Sequence, residues 1–246
     1  MSPLQCMRSL LALVLIPPMT FVVCVLAIID LKVGRRSKPK AQVFPRYWGR
    51  IICAIVGAKV RVEGVEHLDP EQTYIFVGNH CSQFDIYAFQ GYFPHDFRWI
   101  AKKELFRIPL FGWVMRETDY IPIDRSHGRR ALKSLNEAAQ RIREGISVLI
   151  FPEGTRSPDG TLQPFKSGAI MLAIKAGVPV VPLGFNGTHQ VLPKGKLLAR
   201  AGEIVIRVGR PIPTAEYKMR DKQALAAQLH DRVAELLDPA HLPAGF

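Results

Sequence analysis

Four residues separate His80 from Asp85 in the segment Gly78-Asn79-His80-Cys81-Ser82-Gln83-Phe84-Asp85. An alcohol is a weak nucleophile at neutral pH. A histidine within hydrogen-bond reach can take its proton as the oxygen attacks a thioester carbonyl. A carboxylate on the other ring nitrogen fixes the tautomer and steadies the imidazolium. Backbone N–H groups at the start of a following helix are candidate donors to the oxyanion. The same residues have a plainer use, with Asp85 capping a helix opened by Ser82 and His80 satisfied in a turn. Cys81 and Ser82 offer a rival nucleophile, although adjacency in sequence does not make side chains face each other.

Placement favours the chemical use. The apolar run at 74–78 reads as a strand and Ile86 as the start of a helix, which puts His80 in the turn between them. Six further runs, at 60–63, 97–100, 120–123, 147–151, 179–185 and 204–208, also read as strands. Several are continuously apolar, as in strands covered on both faces. Between them, Leu132, Leu135, Ala139 and Ile142 recur at helical spacing, as do Leu225, Leu229, Val233 and Leu236. Strands alternating with helices predict an α/β fold: a mostly parallel sheet of about seven strands flanked by helices. Sites in such sheets form at the carboxyl ends of strands. Cations recur at those ends. Lys102-Lys103-Glu104-Leu105 follows the third strand, Asp124-Arg125 the fourth, and Phe151-Pro152-Glu153-Gly154-Thr155-Arg156-Ser157 the fifth, with Phe165-Lys166-Ser167-Gly168 opening the next helix. Cations around a glycine turn suit a phosphate, arginine by bidentate contact.

The formal net charge is +12, which directs attention to phosphate on lipid, substrate or nucleic acid. Lys32, Arg35, Arg36, Lys38, Lys40, Arg46 and Arg50 follow the most apolar segment with no acid among them. A juxtamembrane cluster of this kind points to an anionic membrane surface. Between Ser9 and Asp30 there is no charge, a length sufficient to span a bilayer. Pro17-Pro18 in its middle predicts a break or kink, and 47–56 reads as an amphipathic interfacial helix. Three arrangements fit: a kinked span, a helix pair dipping into one leaflet, and a cleaved signal peptide, for which the run is too long. Residues 1–58 are thus expected to form a membrane-anchoring helical segment and 59–246 the catalytic domain, on the cytoplasmic side by the positive-inside rule. That location would make the acceptor-like Asn186-Gly187-Thr188 irrelevant to glycosylation. Cys6, Cys24, Cys53 and Cys81 show no paired spacing, so neither a disulfide framework nor a metal site is expected, and a reducing compartment fits.

The Asn79-His80-x4-Asp85 motif, the Arg125 block, the 151–157 block and Val178-Pro179-Val180-Val181-Pro182 together resemble the four motifs of the glycerolipid acyltransferases, and are most similar to those of 1-acyl-sn-glycerol-3-phosphate acyltransferases. The resemblance runs from about Val60 to Pro211. It implies His80 as general base and Asp85 as its partner. It implies acceptor-phosphate contacts from Arg125, Glu153, Gly154, Thr155 and Arg156, with Lys103 a further candidate by position. It also implies a lysophospholipid acceptor, acyl-CoA or acyl-carrier protein as donor, and neither metal nor prosthetic group. The paired N-terminal apolar segments resemble membrane-dipping helices of bacterial members. Other readings are a different lysophospholipid or lyso-aminolipid acceptor, a thioesterase in which water replaces the alcohol, and a non-enzymatic membrane-binding module. A nucleic-acid role has the net charge in its favour but no recognition motif.

Overall fold

The computed structural model describes residues 2–33, 42–124 and 128–242. Each expected strand is present: β1 (Ala58–Glu63), β2 (Ile75–Gly78), β3 (Arg98–Lys102), β4 (Ile121–Ile123), β5 (Val148–Ile150), β6 (Val180–Asn186) and β7 (Gly202–Val208). They form one sheet in the order β1-β7-β6-β2-β5-β3-β4. Strands β2 to β6 run parallel to one another, while β7 is antiparallel to β6 and parallel to β1. Strands β2, β5 and β6 are buried along their whole length, which is why they read as unbroken apolar runs. Because β2, β5, β3 and β4 are neighbours, the loops after them emerge side by side at one end of the sheet. Those loops carry His80, Glu153 to Arg156, Lys103 and Asp124.

Helices cover both faces. On one side α5 (Arg129–Arg143), α6 (Ser167–Ala176) and α8 (Lys222–Ala234) pack Ile142, Ile170, Leu225, Leu229 and Val233 against Ile75, Val77 and Val148. The helical stripe holds from Leu135 onward, whereas Leu132 at its start is exposed. On the other side α2 (Val43–Val56) and α3 (Phe84–Tyr92) enclose Ile52, Phe76, Phe89, Phe93 and Phe185. Two short helices, α4 (Phe111–Glu117) and α7 (Thr188–Val191), complete the body.

The N-terminal helix α1 (Pro3–Val33) is long and apolar enough to cross a membrane. It is one helix across Pro17-Pro18, so of the break or kink expected there the break does not occur. Two backbone donors are lost there, those that would serve the Leu13 and Val14 carbonyls. Just beyond, the Thr20 hydroxyl donates to the Ile16 carbonyl (2.7 Å) and accepts from Trp48 Nε1 of α2 (3.0 Å), which ties α1 to its neighbour. Prolines persist in apolar helices where hydroxyl side chains and neighbouring helices brace them in this way. The outer face of α1, including Leu4, Met7, Leu11, Val14, Phe21 and Ile29, is uncovered. The basic residues Arg35, Arg36, Lys38 and Lys40 lie outside the described residues.

Helix α2 is amphipathic as expected, with Tyr47 and Ile51 exposed and Ile52, Cys53 and Val56 buried in the main core. Full burial of a side chain such as Ile52 stabilises by about 1.5–3 kcal/mol. The α2–α3 crossing is made backbone to backbone. A Cβ on Gly49 would lie 2.5 Å from the Tyr87 carbonyl oxygen, and one on Gly91 would lie 2.8 Å from the Arg50 nitrogen. Only glycine allows that approach, and it fixes the helix whose first turn carries Asp85.

Candidate active site

The site grows from the end of β2. Beyond Gly78 the Asn79 side chain extends the pairing with β6, with Oδ1 accepting from the Phe185 N–H (2.7 Å) and Nδ2 donating to the Phe185 carbonyl (3.0 Å). The chain then turns, and Asp85 gathers the turn around one oxygen. Its Oδ2 accepts from the N–H groups of Cys81 and Ser82, each at 2.8 Å, and contacts His80 Nδ1 at 2.7 Å. An oxygen already accepting two N–H bonds assigns the His80 proton to Nδ1 and leaves the lone pair on Nε2. The imidazole stacks on Phe151 of the neighbouring strand end, with centroids 4.0 Å apart and planes 7° from parallel. Its side chain is 14% exposed, while that of Asp85 is fully enclosed. The Ser82 hydroxyl caps α3 by accepting from the Phe84 N–H (3.1 Å). Capping and base orientation are therefore one arrangement. The N–H groups of Cys81 and Ser82 are committed to Asp85 and that of Phe84 to Ser82, so these three are not free to serve as oxyanion donors.

The loop after β5 completes the site. Gly154 turns in the left-handed region at φ 75°, and a Cβ there would meet the Lys166 side chain at 3.0 Å. Thr155 is exposed and Arg156 half-buried. Among the described residues no carboxylate pairs with the Arg156 guanidinium. The Arg156 carbonyl accepts from Lys194 Nζ (2.7 Å), and Thr155 Oγ1 lies 3.5 Å from the same nitrogen. Lys103 stands at the end of β3, where Nζ meets Asp124 Oδ2 at 2.5 Å. Its partial exposure limits that pair to about 1 kcal/mol at most. Arg125, the next residue on, lies outside the described residues. Lys194 had no motif to mark it in the sequence. Phe151 was visible in its block, but nothing in one dimension showed that it would meet the imidazole.

Glu153 departs from its expected place among the phosphate contacts. It is 2% exposed, and its Oε1 accepts the His80 backbone N–H at 2.8 Å. The Ser157 N–H donates to the His80 carbonyl at 2.7 Å, so the 151–157 loop grips His80 from both sides. A carboxyl this enclosed cannot reach an acceptor; it holds the base in position. Burial pushes its pKa up to about 8, against the lowering effect of the His80 N–H and with a further push from the Asp85 charge. The folded state therefore holds this proton more tightly than the unfolded chain. The stability it contributes is present below the ordinary value of 4.5 and is lost as pH rises toward 8. Glu153→Gln keeps an acceptor for the His80 N–H and removes the titration. Thermal midpoints of wild type should fall with pH across that window, by up to about 1.4 kcal/mol of stability per pH unit, while those of the variant stay flatter. Parallel curves would contradict the buried proton.

Cys81 is fully buried, with Sγ between Asn79 Nδ2 (3.3 Å) and the Gly160 carbonyl (3.4 Å). Burial first, and the Asp85 charge second, raise its pKa. A thiol held protonated in this way is a core atom rather than a nucleophile. Asn186 is likewise buried, its amide donating to the Leu236 carbonyl (3.0 Å), so the glycosylation-like triplet is part of the core.

The arrangement provides a base oriented by a carboxylate, beside a cationic loop at adjacent strand ends. A family model described as Acyltransferase matches residues 59–186, from β1 to the end of β6. The chain belongs to the acyltransferase family. Among relatives of this acyltransferase, the 1-acyl-sn-glycerol-3-phosphate acyltransferases of Limnanthes douglasii and Cocos nucifera are each 33% identical to it. Their alignments cover 80% and 83% of this chain and 70% and 66% of theirs. The crystal structure of the 1-acyl-sn-glycerophosphate acyltransferase PlsC from Thermotoga maritima superposes with a TM-score of 0.77 at 28% identity. It covers 94% of this chain and 97% of that one.

Proposed function

We propose that this acyltransferase is a membrane-attached 1-acyl-sn-glycerol-3-phosphate acyltransferase. It moves a fatty acyl group from the thioester of acyl-CoA or acyl-carrier protein to the free hydroxyl of lysophosphatidic acid, giving phosphatidic acid. The observation that carries this reading is the 2.7 Å contact between His80 Nδ1 and Asp85 Oδ2, set beside the Arg156 loop. Its chemistry, the four ordered motifs and the names of the relatives agree.

His80 Nε2 takes the proton of the acceptor hydroxyl as its oxygen bonds to the thioester carbonyl carbon. The tetrahedral intermediate collapses, the carbon–sulfur bond breaks, and the imidazolium returns its proton to the leaving thiolate. Asp85 keeps Nδ1–H in place throughout and stabilises the transient cation. Glu153 holds the His80 backbone N–H, and Phe151 stacks on the imidazole. Arg156, with Lys103 and Arg125, holds the acceptor phosphate, and no metal or prosthetic group takes part. The uncovered face of α1 and the basic stretch after it hold the body on an anionic bilayer, with the catalytic domain on the cytoplasmic side.

The phosphate assignment has its own test. Arg156→Ala deletes a charge-assisted contact worth about 1.5–3 kcal/mol, so acceptor affinity should fall at least about tenfold in direct lysophosphatidic acid titration, with a smaller change in kcat. Unchanged affinity would remove Arg156 from the acceptor site.

A further inference from the structure

The loop 193–200, which leads from α7 to β7, has no part in the chemistry described above. Nevertheless it presents Leu197 to solvent at 73% exposure, the highest among the large apolar side chains described, with Leu198 beside it. A single exposed leucine is ordinary. Here two adjacent leucines are flanked by Lys194, Lys196 and Arg200 with no acid between them. Arg8 of α1 adds a fourth cation at this edge: a Cβ on Gly57 would lie 2.8 Å from its Nη1 and 3.2 Å from the Ala201 Cβ.

The loop is tied to two other parts of the molecule. The Ala199 carbonyl accepts from Gln5 Nε2 (3.2 Å) and from the Ser9 hydroxyl, both on α1. This places the leucines next to the uncovered N-terminal half of α1. The base of the loop touches both halves of the active site. The Leu192 carbonyl accepts from the Ser82 hydroxyl (2.7 Å), and Lys194 Nζ donates to the Arg156 carbonyl (2.7 Å).

We propose that the loop 193–200 is a second membrane-contact element. Leu197 and Leu198 enter the anionic bilayer interface beside α1, while Lys194, Lys196 and Arg200 meet lipid phosphates. Apolar side chains framed by lysine and arginine, continuous with an apolar helix face, match the requirements of such an interface. The consequence is positional: the Ser82 turn and the Arg156 loop are held at the headgroup plane, where an amphiphilic acceptor presents its phosphate. The inference rests on the membrane attachment proposed for α1, and the test separates the two.

In a Cys6→Ser background the remaining cysteines are buried. Leu197→Cys, Leu11→Cys and Glu216→Cys are each labelled with an environment-sensitive fluorophore, and the full-length protein is reconstituted in phosphatidylglycerol–phosphatidylethanolamine vesicles containing nitroxide-labelled lipid. The expected result is strong quenching at positions 197 and 11 and little at 216, which is exposed on the far side of the sheet. Quenching at 11 with none at 197 overturns the loop proposal and leaves α1 attached. Absence of quenching at both overturns both. A label at 197 that stays in water but shifts on addition of acyl-carrier protein overturns the proposal in favour of a protein-docking loop.

Discussion

His80→Ala should lower acyl transfer by about a thousandfold or more, equivalent to roughly 4 kcal/mol on the barrier, while the protein stays folded. The size follows from the double use of one nitrogen. Nε2 takes the hydroxyl proton on attack and returns it to the leaving thiolate, and no other group among the described residues holds that position. The small structural cost follows from the geometry. The substitution gives up the Phe151 stack and one hydrogen bond, but Asp85 Oδ2 retains the N–H groups of Cys81 and Ser82. Cys81→Ala is the matched control, since it empties a buried position next to the base and should leave turnover within a few-fold. Turnover measured beside circular dichroism and thermal midpoints separates chemistry from folding. Near-normal transfer by His80→Ala would remove the base, and loss of all transfer by Cys81→Ala would revive the thiol.

The second large effect is at Asp85. Asp85→Asn should lower kcat by about a hundredfold to ten-thousandfold with a modest change in acceptor KM. An asparagine oxygen can still accept from Cys81 and Ser82, so the turn survives. What is lost is the negative charge, which steadies the imidazolium and makes this oxygen a strong acceptor for Nδ1–H. Asp85→Ala is the poorer probe. It strands two buried N–H groups at about 1–3 kcal/mol each and confounds activity with stability. A kcat for Asp85→Asn within a few-fold of wild type would reduce Asp85 to a helix cap.

The two uses of Asp85 explain why the motif is legible in one dimension. Capping and orienting demand the same spacing, so four intervening residues place a carboxylate in the first turn of α3 with reach back to the strand end. The parallel sheet was legible because β2, β5 and β6 are covered on both faces and therefore lack alternation. What escaped depends on neighbours distant in sequence. The role of Glu153 could not be read from its block, because burial and the His80 N–H come from packing of β5 against β2. The motif positions alone suggested a phosphate ligand, and the structure shows a buried brace. That Pro17-Pro18 does not break α1 is hidden for a similar reason, since the Thr20–Trp48 bond ties it to a second segment. The loop 193–200 has no motif, and only its contacts with α1 and with Arg156 give it a place.

The central claim is best tested by an acyl-transfer assay in detergent micelles with radiolabelled acyl-CoA, repeated with acyl-carrier protein as donor carrier. It would use a panel of lysophospholipid acceptors, with wild type beside His80→Ala. The account predicts labelled phosphatidic acid from lysophosphatidic acid in preference to the other acceptors, one free thiol released per acyl group transferred, and loss of both products in the variant. Label recovered as free fatty acid without need of an acceptor, or phosphatidic acid formed equally well by His80→Ala, would contradict it.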